Sequence, residues 1–252
     1  MTVEPWQLAL LTGAGIAAGF INVMAGGGSL ISVPVMLFLG LPGPVANGTN
    51  RISIIAQNIV AVRTFLRRGF SDFRLSLSLA AVALPGAVLG ALVGVQLDGA
   101  WFDRVLAAIM LGVLILMQLP GSARAGESLP LTRNRLIAGH ALMFLAGCWG
   151  GFIQIGVGFI LMPILHRVMG LDLVRTNMHK VFIALSYNLV ALAIFASAVS
   201  IHWVFGIALA AGNALGGYLG AHFSVRGGEA WIRRVFTIVL LVFIAKLLLP
   251  SL

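Results

Sequence analysis

Long apolar runs, broken by glycine and by short charged loops, divide the chain into ten segments. In the first half they cover roughly 7–25, 29–40, 46–66, 75–97 and 101–119; in the second, 136–156, 158–170, 174–199, 203–222 and 230–249. A helix of about 20 residues spans the roughly 30 Å of a bilayer core, so most of these runs predict membrane-crossing helices. The second segment of each half is too short for that, at about 18–20 Å. Glycine precedes each short segment, as Gly26-Gly27-Gly28 and as Gly156-Val157-Gly158. The first and second segments of each half therefore predict a hairpin that stops partway or crosses at a tilt.

The two halves also repeat one another. AGFINVMAGGGSLISVPVMLFLGLPGPVANGTNR at 18–51 is echoed by GGFIQIGVGFILMPILHRVMGLDLVRTNMHK at 150–180. Aligning Gly19-Phe20-Ile21 with Gly151-Phe152-Ile153 sets Asn22 against Gln154. It leaves three extra residues at the glycine run of the first copy, and then pairs Pro34 with Pro163 and Arg51 with Lys180. Farther on, Gly86, Gly90 and Gly94 match Gly212, Gly216 and Gly220, and Trp101 and Val105 match Trp231 and Val235. Such repetition predicts a duplicated unit: an N-terminal transmembrane repeat at 1–120, a cytoplasmic linker at 121–135 and a C-terminal transmembrane repeat at 136–252, forming one membrane domain.

Composition agrees with a lipid solvent. The 252 residues are 60% hydrophobic and only 9% charged, against about 25% charged in a soluble domain. Soluble folds, disordered chains and disulfide scaffolds are excluded, and the lone Cys148 has no intrachain partner. The opening MTVEPWQ lacks the basic stretch of a cleaved signal, so the first run is expected to be retained.

The net charge of +9 is spread along the chain rather than clustered, which points to topology and not to nucleic acid. Arg63, Arg67, Arg68 and Arg74 crowd the loop at 63–74, whereas its counterpart at 197–203 has no basic residue; Arg226, Arg233 and Arg234 lie in the loop at 223–234, whose counterpart has only Arg104. Equivalent loops with opposite charge signals predict inverted repeats. Assigning 63–74, 120–135, 166–180 and 223–234 to the cytoplasm gathers 13 of the 16 basic residues and places both termini outside.

The remaining chemistry lies in polar residues within apolar segments. The Gly86/Gly90/Gly94 and Gly212/Gly216/Gly220 stripes predict close helix packing, within the chain or in a homo-oligomer. At the first glycine break stand Asn22, Gly27, Gly28 and Ser29, the last a candidate N-cap; at the second stand Gln154, Gly156 and Gly158. Free N–H groups at a helix start bind anions, although the same glycines also serve as a tight turn. Deeper in each half lie Asn47, Thr49, Asn50 and Arg51, matched by Thr176, Asn177, His179 and Lys180. Read as starting at opposite faces, the two long helices bring both cations near the midplane, where an anion could hold them together; the alternative is snorkelling to headgroups. All seven acids lie at segment ends or in loops, which favours an anionic over a cationic substrate. Gln57, Asn58, Ser186, Tyr187 and Asn188 read first as helix glue, with substrate contact as the alternative. His179 is a candidate proton relay or a structural histidine. No HExxH, Cys/His set, GxSxG or Walker sequence is present, so no metal, cofactor or enzymatic role is predicted.

GFINVMAGGGSLISVPVMLFLGLPGPVANGTNR, followed by a basic turn ending in RRG, resembles the TauE/SafE family of sulfite exporters. The second-half echo fits the same pattern, and the resemblance spans essentially the whole chain. It implies a permease of the bacterial inner membrane that carries sulfite, a sulfonate or another organosulfur anion.

The combined expectation is an all-α integral membrane protein of two inverted repeats, each of about five helical segments with a glycine-broken hairpin. It functions as a secondary transporter for a small anion, by alternating access coupled to an ion or anion gradient. The predicted binding set is Asn22, Gly27, Gly28, Ser29, Asn50, Arg51, Gln154, Gly156, Gly158, Asn177 and Lys180, with His179 for protons. A passive anion channel and a membrane-embedded enzyme are the rival readings.

Overall fold

The computed structural model describes residues 3–97, 101–102, 104–108, 111 and 130–224. Four helices run between residues 3 and 97: α1 (Pro5–Ala25), α2 (Ser29–Phe38), α3 (Gly43–Arg67) and α4 (Phe73–Gly94); the described residues at 101–102, 104–108 and 111 are also helical. The second half contributes α5 (Arg133–Phe152), α6 (Gly158–Pro163), which runs on through a π-helical turn at Ile164–Val168, then α7 (Leu173–Ala198) and α8 (Trp203–Ser224). The described residues contain no strand. The expected fifth segments at 101–119 and 230–249 and the linker at 121–135 lie wholly or largely outside the described residues.

Caps and breakers explain the boundaries. Pro5 stands in the first turn of α1, where its missing N–H is no loss, and Gln7 Oε1 accepts the Glu4 N–H at 3.0 Å. Asp72 and Asp172 cap α4 and α7, accepting the N–H groups of Leu75 (3.2 Å) and Arg175 (2.9 Å). All three described acids thus sit at helix starts. Helix α1, α4, α7 and α8 are each long and apolar enough to cross a membrane. Helix α3 is longer than three of them, at 25 residues, but carries its polar side chains inward; Asn47, Thr49, Asn50, Arg51, Ser53, Gln57 and Asn58 are all buried. The outer surface is correspondingly apolar, with Leu77, Leu145 and Ile207 57–62% exposed. These features make the chain a multi-pass, all-helical membrane protein.

The halves are interleaved. Helix α1 packs along α8, and α4 along α5, so each half lends its first helix to the fourth helix of the other. Helices α3 and α7 pack on each other between these outer pairs, α3 also against α8 and α7 also against α4. Both glycine stripes lie in the outer pairs. A Cβ on Gly86, Gly90 or Gly94 would strike the α5 backbone from Phe144 to Phe152, and one on Gly212 or Gly216 would strike that of α1 at Thr12 and Ile16. Close backbone approach within the chain is therefore what the stripes provide.

Two expectations need correction. The segment expected to run to residue 156 ends as a helix at Phe152, and 153–157 form a buried turn. The pairing of Asn22 with Gln154 is out of register. Gly26 closes α1 in the left-handed conformation (φ 85°), its N–H reaching Ile21 O; Gln154 closes α5 the same way (φ 61°), its N–H reaching Trp149 O. Gln154 is thus the counterpart of Gly26, and Asn22 corresponds to Gly150. The one extra residue at the break belongs to the second half, in place of three in the first. Identity at Gly-Phe-Ile misled the alignment, whereas the hydrogen-bond geometry of the two helix ends fixes it.

Candidate functional site

A helix that stops inside a protein leaves its last four carbonyls without intrahelical donors. In a low-dielectric interior each such orphan is costly. Both α1 and α5 stop in this way, and each receives a cation from the opposite half.

At the end of α5 every one of the four carbonyls is accounted for. Trp149 O accepts the N–H groups of Ile153 and Gln154. Arg51 Nη1 donates to Gly150 O (3.0 Å) and Nη2 to Gly151 O (2.5 Å), while Asn47 Nδ2 donates to Phe152 O (3.0 Å). Arg51 also donates to Asn188 Oδ1 at 3.2 Å and stacks 4.4 Å from the Phe195 ring centroid. At the end of α1, Lys180 Nζ donates to Asn22 O (3.2 Å), Val23 O (2.6 Å) and Asn177 Oδ1 (2.8 Å). An ammonium has three protons, so Lys180 is saturated. A cation at a helix C-terminus also opposes the negative end of the helix dipole. Arg51 is 0% exposed and Lys180 3%, so neither snorkels to the surface. Carbonyl oxygens, rather than a carboxylate, surround both charges; the single ion pair among the described residues is Arg175 with Asp172.

The two breaks meet. Gly26 and Gly158 pack backbone to backbone, and a Cβ on either would occupy the other's main chain. Beside this crossing is a narrow cleft that draws its walls from both halves. Its polar lining consists of Asn22, Asn58, Gln154, Lys180 and Tyr187, and its apolar lining includes Ile54, Leu161 and Val181. Asn22 Nδ2 donates to Gln57 Oε1 and Gln57 Nε2 to Asn58 Oδ1, each at 3.1 Å, forming a polar chain from the α1 end into the cleft.

Of the predicted binding residues, the cleft thus gathers Asn22, Gln154, Gly158 and Lys180. Asn177 touches it only through Lys180; its Nδ2 donates to Ser224 Oγ at 2.7 Å. Asn50 and Ser29 belong to a separate clasp between α2 and α3. There Asn50 Nδ2 donates to Ser29 Oγ (3.1 Å), and Ser32 Oγ donates to Asn50 Oδ1 (2.7 Å). Ser29 is the first helical residue and Gly28 the N-cap. Gly27 and Gly156 supply carbonyls to the first turns of α2 and α6, accepting from Leu30 (3.0 Å) and Phe159 (2.9 Å). Arg51 lies outside the cleft lining. His179 is also outside it, with Nδ1 2.8 Å from Ser76 Oγ on α4.

Asn58 and Tyr187 line the cleft without belonging to the expected binding set. Each stands seven residues after its half's buried cation, two helical turns farther along the same face. That spacing was the available signal.

The sulfite exporter TauE/SafE family matches residues 11–247. The "Probable membrane transporter protein" of Haemophilus influenzae is 29% identical over 95% of this chain and 94% of its own length. Those named "Probable membrane transporter protein ORF9" of Sinorhizobium sp and "Probable membrane transporter protein YfcA" of Escherichia coli strain K12 are 26% and 27% identical, over 96% and 99% of this chain and 92% of each of theirs. No solved structure gives a significant match. With the match covering nearly its whole length, the chain belongs to the sulfite exporter TauE/SafE family.

Proposed function

We propose that this membrane transporter carries a small oxyanion, sulfite or an organosulfur anion, by alternating access between its two interleaved halves. The observation that carries this reading is the pair of buried cations, Arg51 and Lys180, which carbonyls surround and no carboxylate offsets among the described residues. A transporter built for cations would place acids there instead. Dipolar carbonyls solvate the cations but leave their net charge in place, so the interior favours a negative ligand.

Lys180 is the cation in contact with the cleft, and its three protons are all engaged. An anion entering the cleft competes with the carbonyls of Asn22 and Val23 for those protons. Charge-assisted bonds to an anion are stronger than bonds to neutral oxygen. Binding thus loosens the end of α1, the element that joins the first half to α8. A ligand that binds better to the loosened state shifts the population toward it, as alternating access requires. In this reading the repeats are inverted, the basic loops are cytoplasmic and both termini face outside.

Radiolabelled sulfite flux into proteoliposomes, with and without an imposed pH gradient, tests the proposal. Saturable flux in the wild type that responds to the gradient and fails in Lys180→Ala supports it. Flux that rises linearly with concentration indicates a channel, and saturable flux that survives Lys180→Ala removes Lys180 from the transport step.

A further inference from the structure

Three buried side chains around the cleft carry a polar atom without a hydrogen-bond partner: Asn58 Nδ2, Tyr187 Oη and Gln154 Oε1. Asn58 and Tyr187 are each 1% exposed and Gln154 3%. Other buried atoms also lack partners, Arg51 Nε and Asn47 Oδ1 at the α5 end among them, but these three stand on one cleft that draws on both halves. Buried polar groups in native proteins are almost always paired, and an exception marks either stored cost or a missing ligand.

Asn58 and Tyr187 occupy equivalent positions in the two halves. Helices α3 and α7 pack on one another, and these side chains enter the same space from opposite repeats. Asn58 Oδ1 accepts from Gln57 Nε2 (3.1 Å), which holds the carboxamide and leaves Nδ2, on a residue that lines the cleft, without a partner. The Tyr187 ring is fixed from behind. A Cβ at Gly150 would lie 2.7 Å from its Cζ, so the glycine is what admits the ring. The Asn188 carboxamide lies beside the hydroxyl without hydrogen-bond geometry, and its Nδ2 donates to Ala184 O at 2.8 Å. Two prepositioned neutral donors, one from each half, accompany a lysine already on the cleft wall.

We propose that Asn58 and Tyr187 are the specificity-determining contacts for the transported anion, donating from opposite repeats to two of its oxygens. This rests on the anion-transport reading and refines it, because paired donors select an oxyanion over a spherical halide. Lys180 contributes charge, and the Asn58–Tyr187 pair contributes direction.

The test is concentration-dependent sulfite flux in proteoliposomes containing the full chain, alongside thermal melting of each purified variant. Tyr187→Phe removes one oxygen that has no protein partner, so the melting temperature is expected to hold or rise. Loss of a hydrogen bond to an anion should raise KM about tenfold or more with Vmax little changed. Asn58→Asp keeps the acceptor for Gln57, loses the donor and adds a negative charge; its KM is expected to rise further. Tyr218→Phe, at the other tyrosine and on the outer surface of α8, is expected to match the wild type. Saturable wild-type flux with unchanged KM in Tyr187→Phe and Asn58→Asp overturns this assignment while leaving the transport reading intact. A KM increase that comes with a lower melting temperature in Tyr187→Phe overturns it in favour of a packing role. No saturable sulfite flux in the wild type overturns both.

Discussion

The two helix breaks are built to one plan with different materials. The first turns on Gly26, which takes the left-handed conformation without strain, and its carbonyls are gathered by Lys180 at the cleft wall. The second turns on Gln154, a residue with a side chain in the same conformation, and Arg51 caps it from behind the cleft, stacked on Phe195. A planar guanidinium that bridges two carbonyls and an amide is a fixed joint. An ammonium on a flexible stem, beside an open space, is a releasable one. Equivalent positions in the two halves thus carry different cations, and the proposed transport cycle uses the first break as a hinge and the second as an anchor.

The sharpest challenge to this contrast is the crossing itself. Gly26→Ala and Gly158→Ala each drive a methyl into the other break's backbone, and Gly26→Ala adds left-handed strain. Both are expected to cost more than about 4 kcal/mol, read as loss of monodisperse protein in detergent. A Gly158→Ala variant that melts like the wild type would show that the breaks do not touch.

Next comes the anchor against the hinge. Arg51→Met leaves the buried Gly150 and Gly151 carbonyls without donors and is expected to cost about 2–6 kcal/mol, at about 1–3 kcal/mol for each. Lys180→Met should cost less, because the proposed cycle requires the α1 end to loosen, but it should abolish flux at temperatures where the protein remains folded. Equal melting temperatures for the two variants would erase the distinction. Asn50→Ala opens the clasp between α2 and α3, for about 1–3 kcal/mol of stability; its KM for sulfite should not change, because Asn50 stands outside the cleft. The smallest effect should come from Gln154→Gly, which relieves the left-handed side chain and should raise stability by up to about 1 kcal/mol in thermal melting.

The sequence made the membrane class, the short second helices and the glycine-marked breaks legible, because each depends on local composition and length. Arg51 and Lys180 stood out for a related reason, as charges inside apolar runs. What they touch was hidden, since their partners are main-chain carbonyls of the opposite half, and every residue has a carbonyl. The register of the repeat was lost for the same reason. Asn22 and Gln154 look alike as side chains, whereas Gly26 and Gln154 are alike only in backbone conformation. Asn50 was expected in the binding set and Asn58 was not, yet their neighbours assign Asn50 to the clasp and Asn58 to the cleft. Tyr187 stood open between substrate contact and helix glue, and its unpartnered hydroxyl is a feature that only the structure shows.

The reach of Lys180 back to Asn22, across 158 residues, also sets a clock. At about 5–20 residues per second, the ribosome delivers this lysine roughly 8–30 s after the end of α1. Through that interval the newborn hairpin has incomplete ends, and α1 has yet to meet α8, which emerges later still. Arg51 waits in the same way for the carbonyls of α5. A chain with such mutual debts has no natural stopping point between its halves, and its first helices must remain correctable in the membrane until the last partner arrives.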